Sequence, residues 1–294
     1  MFMETARRQR FNLMVFYALL GVFAIVTLSP FLIMVSTALK SEDEVYMQEE
    51  FTVVPKSWKF SNFVATMQAA NWGRYFLNSL FVTSVSVVGS LFLNSLAGYS
   101  FAVLRFPLRT LLFLLLLVGI MVPNQALIIP QYLLLKSIPL FGGNTLLGKG
   151  GIGWLDSYWA LIIPQLSGSF GIFLCRQYFL SIPRELYEAA KIDGCGPFKT
   201  FLHIYLPLAK PVLASLAILK SVAVWTDFFY PLIMTSSDSM RTVQLGLQAY
   251  RSYALFRWDL MMAACILVCL PLILAFFAFQ RHFMQTAVAS GIKG

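Results

Sequence analysis

Long stretches without a charged side chain constrain this sequence more than any other feature. They run from Phe11 to Leu39, Tyr75 to Leu104, Thr110 to Leu135, Ser157 to Cys175, Pro211 to about Met234 and Leu260 to Gln280, the fifth interrupted by Lys220 and Asp227. A bilayer core takes about 20 residues of helix, so each run is long enough to cross it. Lipid offers the backbone no hydrogen bonds, which leaves only helices or closed barrels. Runs this long, without alternation, predict helices. The expected fold is an all-α membrane protein with six transmembrane helices. Composition agrees: 59 % of residues are hydrophobic, 12 % are charged and the mean hydropathy is +0.74, whereas soluble domains lie near 45–50 % apolar and about 25 % charged.

Charge placement sets the rest of the frame. The net charge is +9, but the cations fall between the apolar runs. No basic stripe interleaved with aromatics appears, which excludes a nucleic-acid surface. With the N-terminus inside, twelve Lys and Arg lie on inside segments and nine on outside loops, and the inside segments are the shorter ones. Their density predicts cytoplasmic N- and C-termini. No cleavable leader is expected, because the first run is too long for an h-region and lacks a small-residue cleavage site. Cys175, Cys195, Cys265 and Cys269 show no Cys/His metal spacing and are expected as small buried residues. No metal site is predicted.

Polar residues inside the apolar runs are the candidate functional residues. In the second run Asn78, Val82, Ser86, Ser90, Asn94 and Gly98 repeat at i+4. Such a stripe either lets helices approach closely or lines a water-filled path. Lys220 and Asp227 are the costly pair, since a charge within the membrane is unfavourable by about 2.5 kcal/mol or more. Seven residues of helix separate them by about 10 Å, too far for a direct pair. Asp227 reads as a cap near the outer face or as a pathway group. Lys220 reads as a structural partner of a neighbouring helix, or as a cation that helps an anionic sugar across. The run Gly143-Asn-Thr-Leu-Leu-Gly148-Lys149-Gly150 mimics a phosphate-binding loop but lacks the final Ser/Thr, the preceding strand and the following helix. No nucleotide site is expected there. His203 and His282 have no obvious catalytic partners, and the loop Lys40–Arg74, with Glu42, Asp43, Glu44, Glu49, Glu50, Trp58 and Trp72, is expected as a surface segment with interfacial aromatics.

The segment Ser181 to Pro211 predicts two short helices. Ser181 and Pro183 suit a start, and Gly194 to Pro197 a stop. Leu186, Ala189 and Ala190 share one face of the first helix; Phe198, Phe201, Leu202 and Tyr205 share one face of the second. Its letters Glu188-Ala189-Ala190, Asp193-Gly194, Ile204, Leu206-Pro207 and Pro211 resemble the EAA loop of the permease subunits of binding-protein-dependent ABC importers. Cys195 stands where that family more often has Ala. The Trp225-Thr226-Asp227-Phe228-Phe229-Tyr230-Pro231-Leu232 run and the tail Ala289-Ser290-Gly291-Ile292-Lys293-Gly294 are similar to the carbohydrate, maltose-type members.

The resemblance implies an ABC importer type I permease bundle, a single transmembrane permease domain over residues 1–294, with a cytoplasmic coupling loop at about 181–207 and a tail at 281–294. It implies ATPase-coupling roles for Glu188, Ala189, Ala190, Asp193, Gly194 and Pro207; the polar pattern inside the runs gives the pathway or intramembrane polar candidates Asn78, Ser86, Ser90, Asn94, Lys220 and Asp227. This chain would bind no cofactor; ATP and Mg would reside on two partner ATPase subunits. The other implied partners are a second permease subunit, forming a heterodimer, and an extracytoplasmic substrate-binding protein met by the segment Ser236–Asp259, all in or at a bacterial inner membrane. The cargo would be carbohydrate, an oligosaccharide, neutral or anionic. The alternative from a different class is an ion-gradient-driven secondary transporter in which Lys220 and Asp227 couple the ion.

Overall fold

The uncharged runs fold as helices, and Pro and Gly decide where those helices stop. A computed structural model describes residues 2–46, 52–250 and 257–291, and among these every regular element is helical. The chain divides into two units, Met1–Ala70 with Leu247–Leu270, and Asn71–Gly246 with Pro271–Gly294.

In the first unit lie α1 (Phe2–Ala38), α2 (Glu42–Tyr46), α3 (Ser61–Ala69) and the start of the last helix, Trp258–Gly291. Apolar side chains of α1 from Phe11 to Ile33 point outward. Its end is capped: Asn62 Nδ2 donates to the carbonyls of Ala38 and Lys40 at 2.9 and 2.8 Å, satisfying groups that a helix C-terminus leaves open. Ser36 and Lys40 side chains donate to the Val53 and Thr52 carbonyls. The acidic segment expected on the surface is therefore folded in. Glu44 is buried and accepts the Lys56 N–H at 2.7 Å, and Arg257 bridges Glu42 at 3.3 Å and Asp259 at 2.7 Å. Trp58 is exposed, but Trp72 is buried, packed on Tyr75 and Phe76 rather than interfacial. Glu49 and Glu50 lie outside the described residues.

The second unit is built on α4 (Trp72–Val103), which packs along α8 (Ser169–Leu180) and α12 (Lys210–Trp225). Around it run α5 (Arg109–Met121), α6 (Asn124–Lys136) and α7 (Tyr158–Ile162), then α9 (Glu185–Ile192), α10 (Pro197–Thr200) and α11 (Leu206–Leu208). After α12 come α13 (Phe229–Met234) and α14 (Val243–Gly246), and the last helix, Trp258–Gly291, is α15.

Among the described residues four stretches are long and apolar enough to cross a membrane by themselves: Phe11–Ala38, Trp72–Val103, Tyr158–Leu180 and Trp258–Phe277. Two bent pairs, α5 with α6 at 106° and Pro197–Leu208 with α12 at 78°, pass the same test only when their halves are taken together, each as a broken span or a re-entrant loop, and the number reaches six if each pair is one span. The third and fifth runs are thus not single straight helices. At the third, Pro123 disfavours helical backbone in Val122, which is extended at φ −83° and ψ 121°. Each half has 13 residues, about 20 Å of helix, too short to cross a bilayer alone. The fifth run stops at Trp225, restarts at Phe229 and carries Pro231 in its new first turn. A helical Pro231 would press on the carbonyl four residues back, and that residue is Asp227, in the break. Within the fourth crossing, Pro164 lies in a 3₁₀ turn and Gly168 is extended before α8.

Candidate functional site

Three of these breaks meet at one cavity. It has a volume of about 500 Å³ and takes Asn124 and Gln125 from the first turn of α6, Gln165, Ser167 and Gly168 from the α7–α8 break, and Thr226, Asp227 and Phe228 from the α12–α13 break. Irregular backbone at membrane depth is tolerated only inside protein or against a water-filled space, so the cavity and the breaks account for each other. The volume lies within the usual range for a small-molecule site. Its walls combine amides (Asn124, Gln125, Gln131, Gln165), hydroxyls (Ser167, Thr226) and apolar surface (Ile128, Phe228, Phe229).

Lys220 and Asp227 both line this cavity. Lys220 Nζ donates to Gln165 Oε1 at 3.4 Å, which ties α12 to the α7–α8 break. Asp227 Oδ1 accepts the Tyr230 N–H at 3.1 Å and caps the restarted helix. Among the described residues no ion pair joins them, in keeping with their spacing on the helix. Gln165 and the Asn124–Gln125 pair were not singled out from sequence. Their signal was amide side chains beside Pro in apolar runs.

The polar stripe of α4 lies elsewhere. Asn78, Val82, Ser86, Ser90, Asn94 and Gly98 are all buried, and none of them lines the cavity. An i+4 row drifts around a 3.6-residue helix, so its two ends meet different neighbours. Asn78 accepts from the Tyr158 hydroxyl at 2.6 Å and donates to the carbonyls of Ser239 and Arg241, both at 2.8 Å. Asn94 donates to Ser90 at 2.7 Å and accepts the Gly168 N–H at 3.1 Å. Ser86 is buried and its hydroxyl has no partner among the described residues. A Cβ on Gly171 of α8 would collide with the Asn94 amide, and one on Gly98 would lie 2.6 Å from Cys175 Cβ. The row spans a close helix contact.

The segment that follows α8 forms the two predicted helices with a break between them. Gly194 closes α9 in left-handed backbone, φ +75°. The Gly194 N–H bonds to the Lys191 carbonyl at 3.1 Å and the Cys195 N–H to the Ala190 carbonyl at 2.9 Å, the paired 5→2 and 6→1 bonds of a Schellman ending. Glu188 is exposed in a pair with Arg184 at 3.4 Å. Of the expected apolar face only Ala190 is buried; Leu186 and Ala189 are exposed, as are Ile192 and Phe198. On the second helix Phe201 and Tyr205 are buried and Leu202 is half-buried. Residues Phe201–Tyr205 wind as a π-helix; Pro207 has no N–H to offer the turn before it, and the helix widens there. Cys195 is half-buried, as are Cys265 and Cys269, and only Cys175 is buried.

This segment is bolted to the end of α4 by aromatic rings. Tyr99 has its ring 4.9 Å from Tyr205, 5.4 Å from Phe201 and 6.3 Å from Phe179, and its hydroxyl donates to the Pro197 carbonyl at 3.1 Å. Tyr178 donates to the Leu208 carbonyl at 2.9 Å. Packed rings thus join this segment to α4 and α8.

Residues 91–287 match the family described as "Binding-protein-dependent transport system inner membrane component". The chain belongs to this family. It is 31 % identical over 274 residues to the arabinooligosaccharides transport system permease protein AraQ of Halalkalibacterium halodurans, covering 92 % of this chain and 93 % of AraQ. It is also 31 % identical over 261 residues to the sn-glycerol-3-phosphate transport system permease protein UgpE of Yersinia pestis, covering 86 % and 88 %. Its fold matches a chain in the crystal structure of a bacterial ABC transporter involved in the import of the acidic polysaccharide alginate, with a TM-score of 0.80 at 23 % identity, over 94 % of this chain and 98 % of the other.

As a binding-protein-dependent permease subunit, the chain is a multi-pass membrane protein that transports rather than catalyses, and the stand-alone ion-coupled alternative falls away. The loop with phosphate-site spacing is a tied turn: Asn144 donates to the carbonyls of Lys136 and Ile138 at 2.7 and 2.9 Å and accepts the Gly151 N–H at 2.8 Å. Beside it Asp156 accepts the N–H groups of Ser236 and Ser237 and the Ser237 hydroxyl at 2.9–3.0 Å. Partial burial opposes that charge, but the serine donors outweigh it and hold the Asp156 carboxyl below the usual carboxylate range. Arg74 and Tyr75 of α4 bond to Ser239 and Asp238, so the loop after α13 is held at the start of α4. Tyr253, Phe256 and the end of the tail, Ile292–Gly294, lie outside the described residues.

Proposed function

We propose that this permease subunit carries oligosaccharide across a bacterial cytoplasmic membrane, receiving it from an extracytoplasmic binding protein and working with a second permease subunit and two ATPase subunits. ATP and Mg reside on the ATPases, and this chain binds no cofactor. The observation that carries the reading is the cavity where three helix breaks converge. Amides and hydroxyls beside exposed rings suit a polyhydroxylated ligand, since each hydroxyl needs both a donor and an acceptor. The relatives named for arabinooligosaccharides and alginate support the same substrate class.

The chain acts as one transmembrane domain over residues 1–294, with both termini cytoplasmic and the tail 281–294 on the ATPase side. The coupling loop is 181–207. Glu188, Ala189, Ala190, Asp193, Gly194 and Pro207 form or shape the docking surface, and the exposed Leu186, Ile192 and Phe198 give it apolar contact. Closure of the ATPase dimer moves α9 and α10, the Tyr99 ring cluster passes that motion to α4 and α8, and the helix pieces around the cavity change their tilt. This is rigid-body transmission through elements with two arrangements. Asn78, Ser86, Ser90 and Asn94 serve helix packing and loop anchoring, while Lys220 and Asp227 face the cargo.

The test is uptake by the reconstituted complex carrying Lys220→Met or Asp227→Asn. A hydrogen bond to a charged group contributes about 1.5–3 kcal/mol, so uptake efficiency falls about tenfold or more, with ATPase docking intact. Wild-type uptake by both variants, or loss of docking, overturns the assignment. Comparing a neutral oligosaccharide with its uronate analogue shows whether the cargo meets Lys220 with a carboxylate.

A further inference from the structure

We propose that the turn between α4 and α5 is a binding site for the phosphate headgroup of an anionic phospholipid. A shallow, open hollow of about 410 Å³ lies there, lined by Arg105, Phe106, Leu108, Arg109, Thr110 and Leu111. The turn follows α4, which is long enough to cross a membrane by itself, and leads into α5, which reaches that length only together with α6; a turn at the end of such a helix lies at the level of the bilayer surface.

The charge balance at this turn points to a ligand. Arg109 spends one donor on the Leu104 carbonyl, at 2.9 Å, which orients its guanidinium and leaves other donors free. Arg176 of α8 donates to the Phe101 carbonyl at 3.2 Å and lies 4.0 Å over the Phe113 ring, close enough to Arg109 for the two charges to repel. Arg105 adds a third cation. Among the described residues none of the three has a carboxylate partner. From Phe51 to Arg184 the sequence holds one acidic residue, Asp156, and it is engaged by Ser236 and Ser237. The carbonyls ending α4 offer only partial negative charge. Among the described residues the three cations thus lack a balancing carboxylate, and the proposed ligand supplies the balancing anion from outside this chain.

The same wall says which anion. Guanidinium forks match phosphate oxygens in pairs, and Thr110 adds a hydroxyl. The apolar part of the cavity continues into exposed surface, with Leu108 at 67 % and Leu111 at 52 % exposure, then Leu112, Leu114 and Leu115 along α5. A soluble phosphate has no use for that surface, whereas a phospholipid lays its acyl chains on it. Basic pockets between membrane helices hold anionic headgroups in this way. The site involves neither the transport cavity nor the coupling loop, so it stands apart from the proposed cargo.

The whole importer complex is placed in nanodiscs of phosphatidylcholine containing a minor fraction of phosphatidylglycerol, and the lipid retained on the purified complex is measured by native mass spectrometry. Phosphatidylglycerol is expected to be enriched several-fold over its bulk fraction. Arg105→Gln with Arg109→Gln returns it to the bulk value, and Arg105→Lys retains part of the enrichment. Arg105 makes no hydrogen bond among the described residues, so Arg105→Gln alone, which lowers the enrichment, keeps the test independent of folding. Excess inorganic phosphate leaves the lipid bound. Equal enrichment in the wild type and the double variant overturns the proposal. So does displacement by inorganic phosphate, which would make the ligand a soluble anion, or the absence of enrichment in a complex whose partner subunit presents a carboxylate to Arg105.

Discussion

Gly194 shows how much a single backbone angle can carry. Its φ of +75° lies in the left-handed region, where an L-residue costs roughly 1–2 kcal/mol more than Gly. A Cβ there would meet no atom within 4 Å, so substitution is opposed by conformation alone, with no clash. The variants should therefore rank by left-handed tolerance, Asn near Gly, Ala lower and Val lowest, in ATP-driven uptake by the assembled importer. Binding of cargo to the soluble receptor stays unchanged throughout. A Gly194→Val protein that transports as well as the native one would falsify the coupling role. The need for positive φ was legible from Asp193-Gly194 at a helix stop; the empty space around the residue was not, because no local pattern records what lies across from a turn.

Among the elements, α4 organises the second unit by approaching α8 closely. Gly98 would place a Cβ 2.6 Å from Cys175 Cβ and 2.9 Å from the Arg176 backbone nitrogen, whereas Gly89 would meet the movable tip of Leu166 at 2.5 Å. Overpacking against backbone costs about 1–3 kcal/mol. Gly98→Ala is expected to lower the thermal midpoint of the detergent-solubilised complex clearly, and Gly89→Ala much less. Equal shifts would show that the contact is loose. The helices themselves were legible, because hydropathy counts apolar residues over a bilayer length. The breaks were not. A bend at Pro123 removes no apolar residue from its run, and the amides Asn124, Gln125 and Gln165 acquire meaning only once three bends converge.

At the scale of the molecule, sidedness follows from α4. Its start is tied to Ser239 through Arg74, and its end to Pro197 through Tyr99, about 37 Å apart at 1.5 Å per residue. The coupling segment and the loop after α13 therefore lie at opposite ends of one membrane-length helix. The proposed topology, which rests on twelve cations against nine, has the coupling end inside. With the native four-cysteine chain as baseline and the ATPase subunits stripped off, Ile192→Cys should react with a membrane-impermeant thiol reagent only in inverted vesicles, and Ser237→Cys only in right-side-out cells. The reverse pattern would invert the topology. The three-way meeting of helix ends at the cavity has one further consequence. A site cut into the faces of continuous helices can release its contents only if whole helices part. Here Asn124, Gln165 and Asp227 each belong to a separate short piece of chain, like three fingertips on one object. With the cavity as the proposed cargo site, spreading the pieces by a small amount would break every grip at once, so cargo held through many weak contacts could be let go without unfolding any of them.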